Sequence, residues 1–580
     1  MIKRLLGCVR EYKKQTILTP VLMIGEVVCE CIIPVITARL INSINAGCKM
    51  SDILIYGLLL VVMAFVSLFF GVLAGKTAAT ASAGFAKNLR HDIFYKIQSF
   101  SFSNIDRFST SSLVTRLTTD VTNVQMAFMM IIRTAVRAPL MLVFATVMSF
   151  VVGKKLSLIF VFIAPALGIG LLLVGLKALP MFRAVFKKYD KLNNSVQENI
   201  KGMRVVKSFV REEYEKKKFK VASENIRDDF TRVERIIALN GPFMQLAMYL
   251  SMLLISFFTA KLVVSYGGEY LDVGTLSSML TYSMQVLMSL MMLSMIFVMI
   301  TIAVAGAKRI TEVLEETPDI KEIENPQREV KDGSIDFTDV NFKYSEKAET
   351  YALSDINIHI KAGETVGIIG STGSGKTSLI QLISRLYDVT DGSVKVGGVD
   401  VREYGIKELR DEVSVVLQKN VLFSGTIKEN LRWGDPDATD EEIERICKLS
   451  QASEFIEGFP DKYDTFIEQG GANVSGGQKQ RLCIARALLK KPKILILDDS
   501  TSAVDTKTDA LIRKAFREEI PGTTKIIIAQ RISSVQDADK IIVMNNGCID
   551  GIGSHEELLC SNEIYKEAFM IQNKAGDDSE

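Results

Sequence analysis

The chain has 580 residues, which is too long for one compact domain, so two or more structural units are expected. Its 69 Lys and Arg nearly balance its 67 Asp and Glu, and this balance argues against a nucleic-acid-binding protein, which normally carries a basic excess. A mean hydropathy of +0.22 alongside 23% charged residues indicates one strongly apolar part and one ordinary part.

The cysteines and histidines do not suggest a metal site or a disulfide framework. Eight Cys are scattered without a C-x-x-C pair, and the three His lie far apart in the sequence. This pattern argues against zinc and fits a protein of the reducing cytosol and the membrane. The first residues lack the apolar core and cleavage site of a secretory signal.

The N-terminal part of the chain is predicted to be a membrane domain. Residues 1–14 alternate basic and apolar side chains, which predicts an amphipathic helix on the inner membrane face or, equally well, a cytosolic tail helix. The predicted membrane domain, residues 15–310, contains six apolar runs that each reach the roughly 20 residues needed to cross a bilayer. The runs are residues 17–45, 53–75, 126–152, 156–182, 237–266 and 274–305.

The segments between the apolar runs predict the orientation of the chain. Residues 46–52, 153–155 and 267–273 are short links, whereas the second and fourth links have about 50 residues and are rich in Lys and Arg. The positive-inside rule places these long links and both termini in the cytoplasm, in a multi-pass protein of the cytoplasmic membrane. Both long links have helical patterns, and residues 109–121 and 196–211 are each predicted to supply a short transverse helix.

The C-terminal part is predicted to be an α/β domain. Residues 311–332 are acidic and contain two prolines, which is typical of a linker. From residue 333 to 580, short β-branched runs alternate with helical stretches, and this alternation predicts a largely parallel sheet. The predicted strands are residues 365–369, 413–417, 494–497, 525–528 and 541–544.

The strongest motif follows the first of these strands and fits the P-loop pattern G-x-x-x-x-G-K-[ST]. Its glycines let backbone N–H groups point at phosphates, and the following helix adds its partial positive charge. Lys376 is expected to reach the β- and γ-phosphates of ATP, and the Thr377 hydroxyl to ligate Mg²⁺. The predicted phosphate-binding residues are Gly370, Ser371, Thr372, Gly373, Ser374, Gly375, Lys376 and Thr377.

Two carboxylates end the apolar run at residues 494–497. Asp498 is in the position from which a buried strand delivers an acid to the Mg²⁺ beside a P-loop. Asp499 follows it directly. Many strands end in Asp, so the signal depends on the P-loop upstream.

Together with further motifs downstream, the chain resembles the ABC exporters over essentially its whole length. The segment Val-Ser-Gly-Gly-Gln-Lys-Gln-Arg at 474–481 is similar to the ABC signature, with Val474 in place of the usual Leu. Residues 502–505 resemble the D-loop, and residues 197–209 resemble the second coupling loop. The resemblance also implies that Tyr344 stacks on adenine and that Gln418 contacts Mg²⁺ together with Thr377 and Asp498. The signature residues expected to contact nucleotide are Ser475, Gly476, Gly477 and Gln478.

The resemblance implies a half-transporter, with six membrane helices and one ATPase domain, that pairs with a second chain. In this family the catalytic carboxylate is normally Glu and the switch residue His, whereas this chain has Asp499 and Gln530 at these catalytic positions. Asp is one methylene shorter, and Gln cannot exchange a proton near neutral pH. The chain therefore resembles the weak-site subunit of heterodimeric multidrug exporters, whose partner half-transporter keeps Glu and His. A tolerated substitution in an active enzyme is the alternative.

The membrane part offers one candidate cargo site. Glu26 and Glu30 share a face of the first membrane helix, where ionisable groups normally face a cavity or a partner. They are expected either to attract small cationic hydrophobic or amphipathic cargo or to pair with Arg133 and Arg137, which have the same spacing. Seven Met on the last membrane helix suit either a permissive cavity or ordinary packing.

The expected function is ATP-driven export of hydrophobic or amphipathic compounds, with ATP and Mg²⁺ as cofactors and hydrolysis mainly at the partner's site. Two alternatives remain open at this point. One is a homodimeric exporter of lipid or peptide, and the other is an ATP-gated channel or regulatory subunit.

Overall fold

The computed structural model describes residues 1–266, 272–346, 348–500 and 502–577. The chain divides into two compact units. The first, the membrane unit, contains Met1–Ser99 and Phe108–Glu316, and the second, the ATPase-like unit, contains Phe100–Arg107 and Thr317–Glu580. The predicted boundary between a membrane domain and an α/β domain thus has a counterpart near residue 316, with one short segment of the N-terminal part assigned to the second unit.

The membrane unit is built from helices. Six of them are long and apolar enough to cross a membrane within the described residues, in agreement with the six predicted runs. They are Arg10–Asn45, Met50–Gln98, Thr110–Gly153, Leu158–Lys201, Glu212–Lys261 and Val273–Glu315. Most of the predicted short link between the fifth and sixth apolar runs, residues 267–273, lies outside the described residues.

Each spanning segment is longer than a bilayer requires, since about 20 residues suffice. The helix Met50–Gln98 has 49 residues, and its first half exposes large apolar side chains such as Leu58 and Phe65. Further along, Ala74, Ala78 and Ala81 are buried on one face, where small side chains allow close helix packing. Thr77 beside them meets Thr19 of the first spanning helix, with 2.9 Å between the hydroxyl oxygens.

Two sequence-based details of the membrane part were wrong. Residues 1–14 do not form one helix, because Ile2–Gly7 and Arg10–Tyr12 are separate and Arg10 has a φ of +39°. The segment 109–121 is not a transverse helix either. The Ser109 hydroxyl accepts a hydrogen bond from the Ser112 amide, so a long helix begins at Thr110 and continues toward Gly153.

Two short helices lie between long helices in the sequence. Phe102–Arg107 is the short helix of the first long link, and it belongs to the ATPase-like unit. Met203–Ser208 lies within residues 196–211, where the sequence predicted a short helix. The last spanning helix runs to Glu315, so the predicted linker 311–332 is helical over its first five residues. The helical segments of the membrane unit are Ile2–Gly7, Arg10–Tyr12, Lys13–Asn45, Met50–Gln98, Thr110–Thr115, Arg116–Asp120, Val121–Ile132, Thr134–Gly153, Lys154–Ser157, Leu158–Lys201, Met203–Ser208, Glu212–Ile237, Asn240–Tyr266 and Val273–Glu315.

Within its described residues, the ATPase-like unit contains three sheets. The strands are β1 (Ile335–Phe342), β2 (Leu353–Ile360), β3 (Thr365–Gly370), β4 (Asp391–Val396), β5 (Val399–Asp400), β6 (Val413–Val416), β7 (Gly425–Thr426), β8 (Phe466–Ile467), β9 (Ile494–Asp498), β10 (Thr524–Ile528), β11 (Lys540–Asn545) and β12 (Cys548–Gly553). A six-stranded sheet has the order β12-β11-β3-β10-β9-β6 and is parallel except for β12. This confirms the predicted parallel sheet and its five strands. The four-stranded antiparallel sheet β2-β1-β4-β5 and the pair β7-β8 had not been predicted.

The parallel sheet is buried on both faces, which explains why its strands are continuous apolar runs. In β9, Ile494 and Ile496 face one core, while Leu495 and Leu497 face the other. Strands β3, β9 and β10 are neighbours, so their carboxyl ends meet at one edge. The helical segments of the unit are Phe102–Arg107, Lys376–Ile383, Ile406–Glu412, Ile427–Leu431, Asp440–Leu449, Ser453–Glu457, Lys462–Asp464, Gln469–Gly471, Gly476–Leu489, Thr506–Glu519, Ile532–Ser534, His555–Ser561 and Glu563–Asp577.

Candidate functional site

The loop after β3 has the backbone of a phosphate cradle. Gly373 and Gly375 have φ values of +85° and +98°, which side-chain-bearing residues rarely adopt. A Cβ on Gly375 would also lie 2.8 Å from Leu353, whereas one on Gly373 would meet nothing within 4 Å. The helix Lys376–Ile383 begins immediately after the loop, so its unpaired N–H groups face the cradle.

The charged residues of the motif converge on this cradle. The Lys376 ammonium donates to the carbonyl oxygens of Gly370 and Ser371, both at 2.8 Å. Burial lowers the pKa of Lys376, and the neighbouring Asp498 and Asp499 oppose that shift. The cation is therefore held inside the loop by oxygen acceptors, which phosphate oxygens can replace.

Thr377 and Asp498 are in direct contact, which places two oxygen ligands close enough to share one Mg²⁺. The Thr377 hydroxyl donates to Asp498 Oδ2 at 3.0 Å, although the residues are 121 positions apart. Burial raises the pKa of Asp498, and the bond from Thr377 partly offsets this. The hydroxyl and carboxylate oxygens are ligands of the kind that Mg²⁺ prefers. The N–H groups of the loop can donate hydrogen bonds to the oxygens of a triphosphate. The residues fit ATP with Mg²⁺.

Asp499 and Gln530, the two atypical residues, contact each other. Gln530 Nε2 donates to Asp499 Oδ2 at 3.1 Å. The Gln418 side chain lies near enough to Asp499 to favour its charged form. Burial raises the pKa of Asp499, while the side chains of Gln418, Lys376 and Gln530 oppose the shift. Asp499 and Gln530 are thus paired at the edge where β9 and β10 end. Of the three predicted Mg²⁺ ligands, Thr377 and Asp498 touch each other, whereas Gln418 lies near Asp499.

Tyr344 stands beside the helix that follows the P-loop. Its hydroxyl lies 2.8 Å from Ser378 Oγ and 3.2 Å from Gln381 Oε1. Its ring meets Phe342 and Tyr387 edge to face, and the residue is 47% exposed. Burial raises the pKa of Tyr344, so the phenol stays a hydrogen-bond donor. Stacking of this exposed ring on adenine remains a prediction.

The signature segment forms the start of the helix Gly476–Leu489, where Ser475 and Gln478 cap the helix by bonding to each other's backbone. Ser475 Oγ accepts from the Gln478 amide at 3.3 Å, and Gln478 Oε1 accepts from the Ser475 amide at 2.9 Å. A Cβ on Gly477 would lie 2.8 Å from the Ala503 carbonyl, so glycine is required there. No hydrogen bond in the described part of the chain joins Ser475–Gln478 to the P-loop residues of the same chain.

One residue of this segment had no predicted role. Gln480 is buried and holds the D-loop-like residues, because its Nε2 bonds to Ser502 Oγ at 3.3 Å and its Oε1 accepts from the Ala503 amide at 3.0 Å. The sequence signal was a polar side chain on the apolar face of a helix. Gln480 therefore couples the signature helix to the loop after Asp499.

In the membrane unit, Glu26 and Glu30 share one arginine. Arg137 makes two bonds to Glu30, at 2.7 and 2.9 Å, and lies 3.6 Å from Glu26. Arg133, the other predicted partner, makes no ion pair in the described part of the chain. Glu30 and Arg137 border a cavity of about 190 Å³. Its other lining residues are Ala138, Met141, Met284, Gln285, Met288, Ser289 and Met292.

Family comparisons agree with this layout. The family model described as ABC transporter transmembrane region matches residues 16–291, and the one described as ABC transporter matches residues 353–502. The uncharacterized ABC transporter ATP-binding protein YfiB of Bacillus subtilis is 35% identical over 98% of both chains. A protein of the same description from Mycobacterium tuberculosis, MT1311, is 32% identical over 97% of both chains.

A solved structure has the same fold. The structure described as a bacterial Atm1-family ABC exporter with ATP bound superposes with a TM-score of 0.82, at 23% identity, over 96% of this chain and 98% of that one. Full-length similarity to ABC transporter proteins, the two matched regions and the P-loop geometry all lead to one assignment. This chain belongs to the ABC transporter family, and it joins an ABC transporter transmembrane region to an ABC ATPase domain in the fold of an ABC exporter.

Proposed function

We propose that this chain is the weak-site half of a heterodimeric multidrug-type exporter of the cytoplasmic membrane. Its ATPase domain and both termini are cytosolic, and its own P-loop binds ATP with Mg²⁺ but hydrolyses it slowly. A second half-transporter, with Glu and His at the positions of Asp499 and Gln530, supplies the active site. The cargo is a small hydrophobic or amphipathic compound.

The observation that carries this proposal is the contact between Asp499 and Gln530. Asp is one methylene shorter than Glu, and a misplacement of about 1 Å can cost on the order of a hundredfold in rate. Gln530 donates a hydrogen bond to this shorter carboxylate, so the two atypical residues lie together in one site. Gln530 cannot take up a proton near neutral pH, so it offers hydrogen bonds alone.

The intact signature supports a pair with one weak and one active nucleotide site. ABC ATPase domains pair head to tail, so Ser475–Gln478 would complete the nucleotide site of the partner. The reciprocal cap of Ser475 and Gln478 leaves the remaining N–H groups of the first helical turn for an anion. Thr377 and Asp498 keep the contact that Mg²⁺ binding needs, so binding of ATP is expected to survive in the weak site.

ATPase activity tests the proposal directly. The full-length chain purified alone is expected to bind ATP and to turn it over at about one hundredth of the rate of the transporter purified from its native membrane with its partner. Equilibrium binding of labelled ATP and steady-state phosphate release are measured on both preparations. An active homodimer of the lone chain would reject the weak-site proposal.

The cavity beside Glu30 is our proposed cargo site, and its test uses two charge variants of opposite sign. Glu30→Gln should lower transport of a cationic dye relative to a neutral analogue by about tenfold, because one charge-assisted hydrogen bond is lost. Arg137→Gln should change the same ratio in the opposite direction, since it leaves Glu26 and Glu30 without their shared cation. The ratio of cationic-dye transport to neutral-analogue transport is measured in inside-out vesicles. An unchanged ratio in both variants would mean that Glu26, Glu30 and Arg137 have a structural role only.

A further inference from the structure

The C-terminal helix reaches the loop that carries Gln530. Gln572, near the end of Glu563–Asp577, donates from Nε2 to the Gln530 carbonyl at 2.9 Å. Its Oε1 accepts from the Ile532 amide at 2.8 Å. One side-chain amide therefore uses its donor and its acceptor on two backbone groups of the same loop, 40 and 42 residues away in sequence.

The helix itself is firmly attached to the ATPase domain. Tyr565 is fully buried and Phe569 packs against the core. These residues and Gln572 are spaced at i, i+4 and i+7, so they share one face of the helix. The Tyr565 hydroxyl lies 2.7 Å from His555 Nδ1, and the Tyr565 amide donates to Asn562 Oδ1 at 2.8 Å. Gln572 therefore lies on the same helix face as the packed residues Tyr565 and Phe569, at the end that reaches the loop.

The attachment falls at the exposed part of the loop, because Ala529 and Ile532 on either side of it are buried in the core. Gln530 and Arg531 lie at the surface, just beyond the end of β10. The backbone direction at Gln530 sets where its amide points, and that amide bonds to Asp499. A clamp on both sides of Arg531, at the Gln530 carbonyl and the Ile532 amide, fixes two consecutive peptide units.

We infer that Gln572 is a positioning residue that holds Gln530 against Asp499, so that the C-terminal helix controls the geometry of this chain's ATP site. The inference rests on the proposed assignment of Gln530 to the switch position. Displacement of the helix by a partner or a truncation would release the loop without altering the P-loop, Thr377 or Asp498.

Hydrogen exchange tests the clamp without requiring hydrolysis. In the full-length chain, Gln572→Ala should speed exchange of the Ile532 amide about fivefold to tenfold, as expected for the loss of one hydrogen bond. Gln572→Glu should keep most of the protection, because a carboxylate still accepts from that amide. Glu567→Ala, an exposed change on the same helix, is the matched control and should leave exchange unchanged. Unaltered exchange in Gln572→Ala would overturn the inference.

A double-mutant cycle then tests whether Gln572 acts through Gln530. Single-turnover hydrolysis of labelled ATP, with the full-length chain in excess, is measured for Gln572→Ala, Gln530→Ala and the double variant. Gln572→Ala and Gln572→Glu should each lower the rate constant about threefold to tenfold with little change in ATP affinity, because both lose the donor to the Gln530 carbonyl. In the Gln530→Ala background the second change should have no further effect.

The outcomes separate the inference from the function on which it rests. If the losses in the cycle are additive, the role of Gln572 is rejected but the assignment of Gln530 stands. The same conclusion follows if Gln572→Ala has a normal rate constant while that of Gln530→Ala is reduced. A normal rate constant in Gln530→Ala would reject the switch assignment itself, and the inference with it. Melting temperatures of all variants show whether a loss comes from unfolding, and Gln572→Glu keeps the test valid if Gln572→Ala is unstable.

Discussion

Replacing Asp499 with Glu and Gln530 with His is expected to raise ATP hydrolysis by the purified chain about a hundredfold. The added methylene moves the carboxylate outward by about 1 Å, toward the position of an attacking water, and misplacement of that size is worth about this factor. The Gln530→His change adds an imidazole that can exchange a proton near neutral pH. Two copies of the double variant would also supply each other's intact Ser475–Gln478 signature.

Three control variants make this result interpretable. Asp499→Glu alone should recover part of the gain, since Gln530 still donates a hydrogen bond to the carboxylate. Asp499→Asn should stay at the wild-type rate or below it. Lys376→Ala in the double-variant background should abolish the gain, because the phosphates lose the cation at the centre of the cradle. Single-turnover phosphate release is the measurement, and an unchanged rate in the double variant with normal ATP binding would show that these two residues do not limit hydrolysis.

The sequence predicted the parts of the fold that are set by local pattern. The six apolar runs predicted the six helices of the described residues that could span a membrane, because such a helix is recognised by its length and hydropathy. The continuous apolar run at 494–497 predicted a buried strand, since Ile494 and Leu495 face opposite cores. The P-loop was predictable because its glycines are needed for backbone geometry.

The missed features depend on less regular signals or on distant contacts. Strand β1 of the antiparallel sheet alternates Ile335 and Phe337 with polar residues, but Asp339, at a φ of +48°, interrupts the pattern. The short helix of the first long link was predicted at residues 109–121 but lies at Phe102–Arg107. Ser109 had not been recognised as the cap of the long helix that follows. Gln572 belongs to no motif, and only the folded chain brings it to Gln530.

Gly476→Asp should lower ATP turnover of the assembled transporter more than a hundredfold, whereas Asp499→Asn should change it by less than about twofold. In the proposed pair, Gly476 faces the nucleotide of the partner's active site, where a carboxylate repels the phosphates. Asp499 lies in the weak site, which contributes little to turnover. The two variants therefore separate the residue that this chain gives to its partner from the residue it uses itself.

The structure predicts that the Gly476→Asp loss is electrostatic and not a folding defect. A Cβ at Gly476 would lie 3.5 Å from Ala503, an ordinary contact, whereas one at Gly477 would lie 2.8 Å from the Ala503 carbonyl. An acidic residue in the first turn of Gly476–Leu489 also suits the helix dipole. Gly476→Asp should therefore keep the wild-type melting temperature, Gly476→Ala should keep most of the turnover, and Gly477→Ala should be less stable. Comparable losses of turnover from Gly476→Asp and Asp499→Asn would mean that both sites hydrolyse ATP, and the proposed heterodimer with one weak site would be rejected.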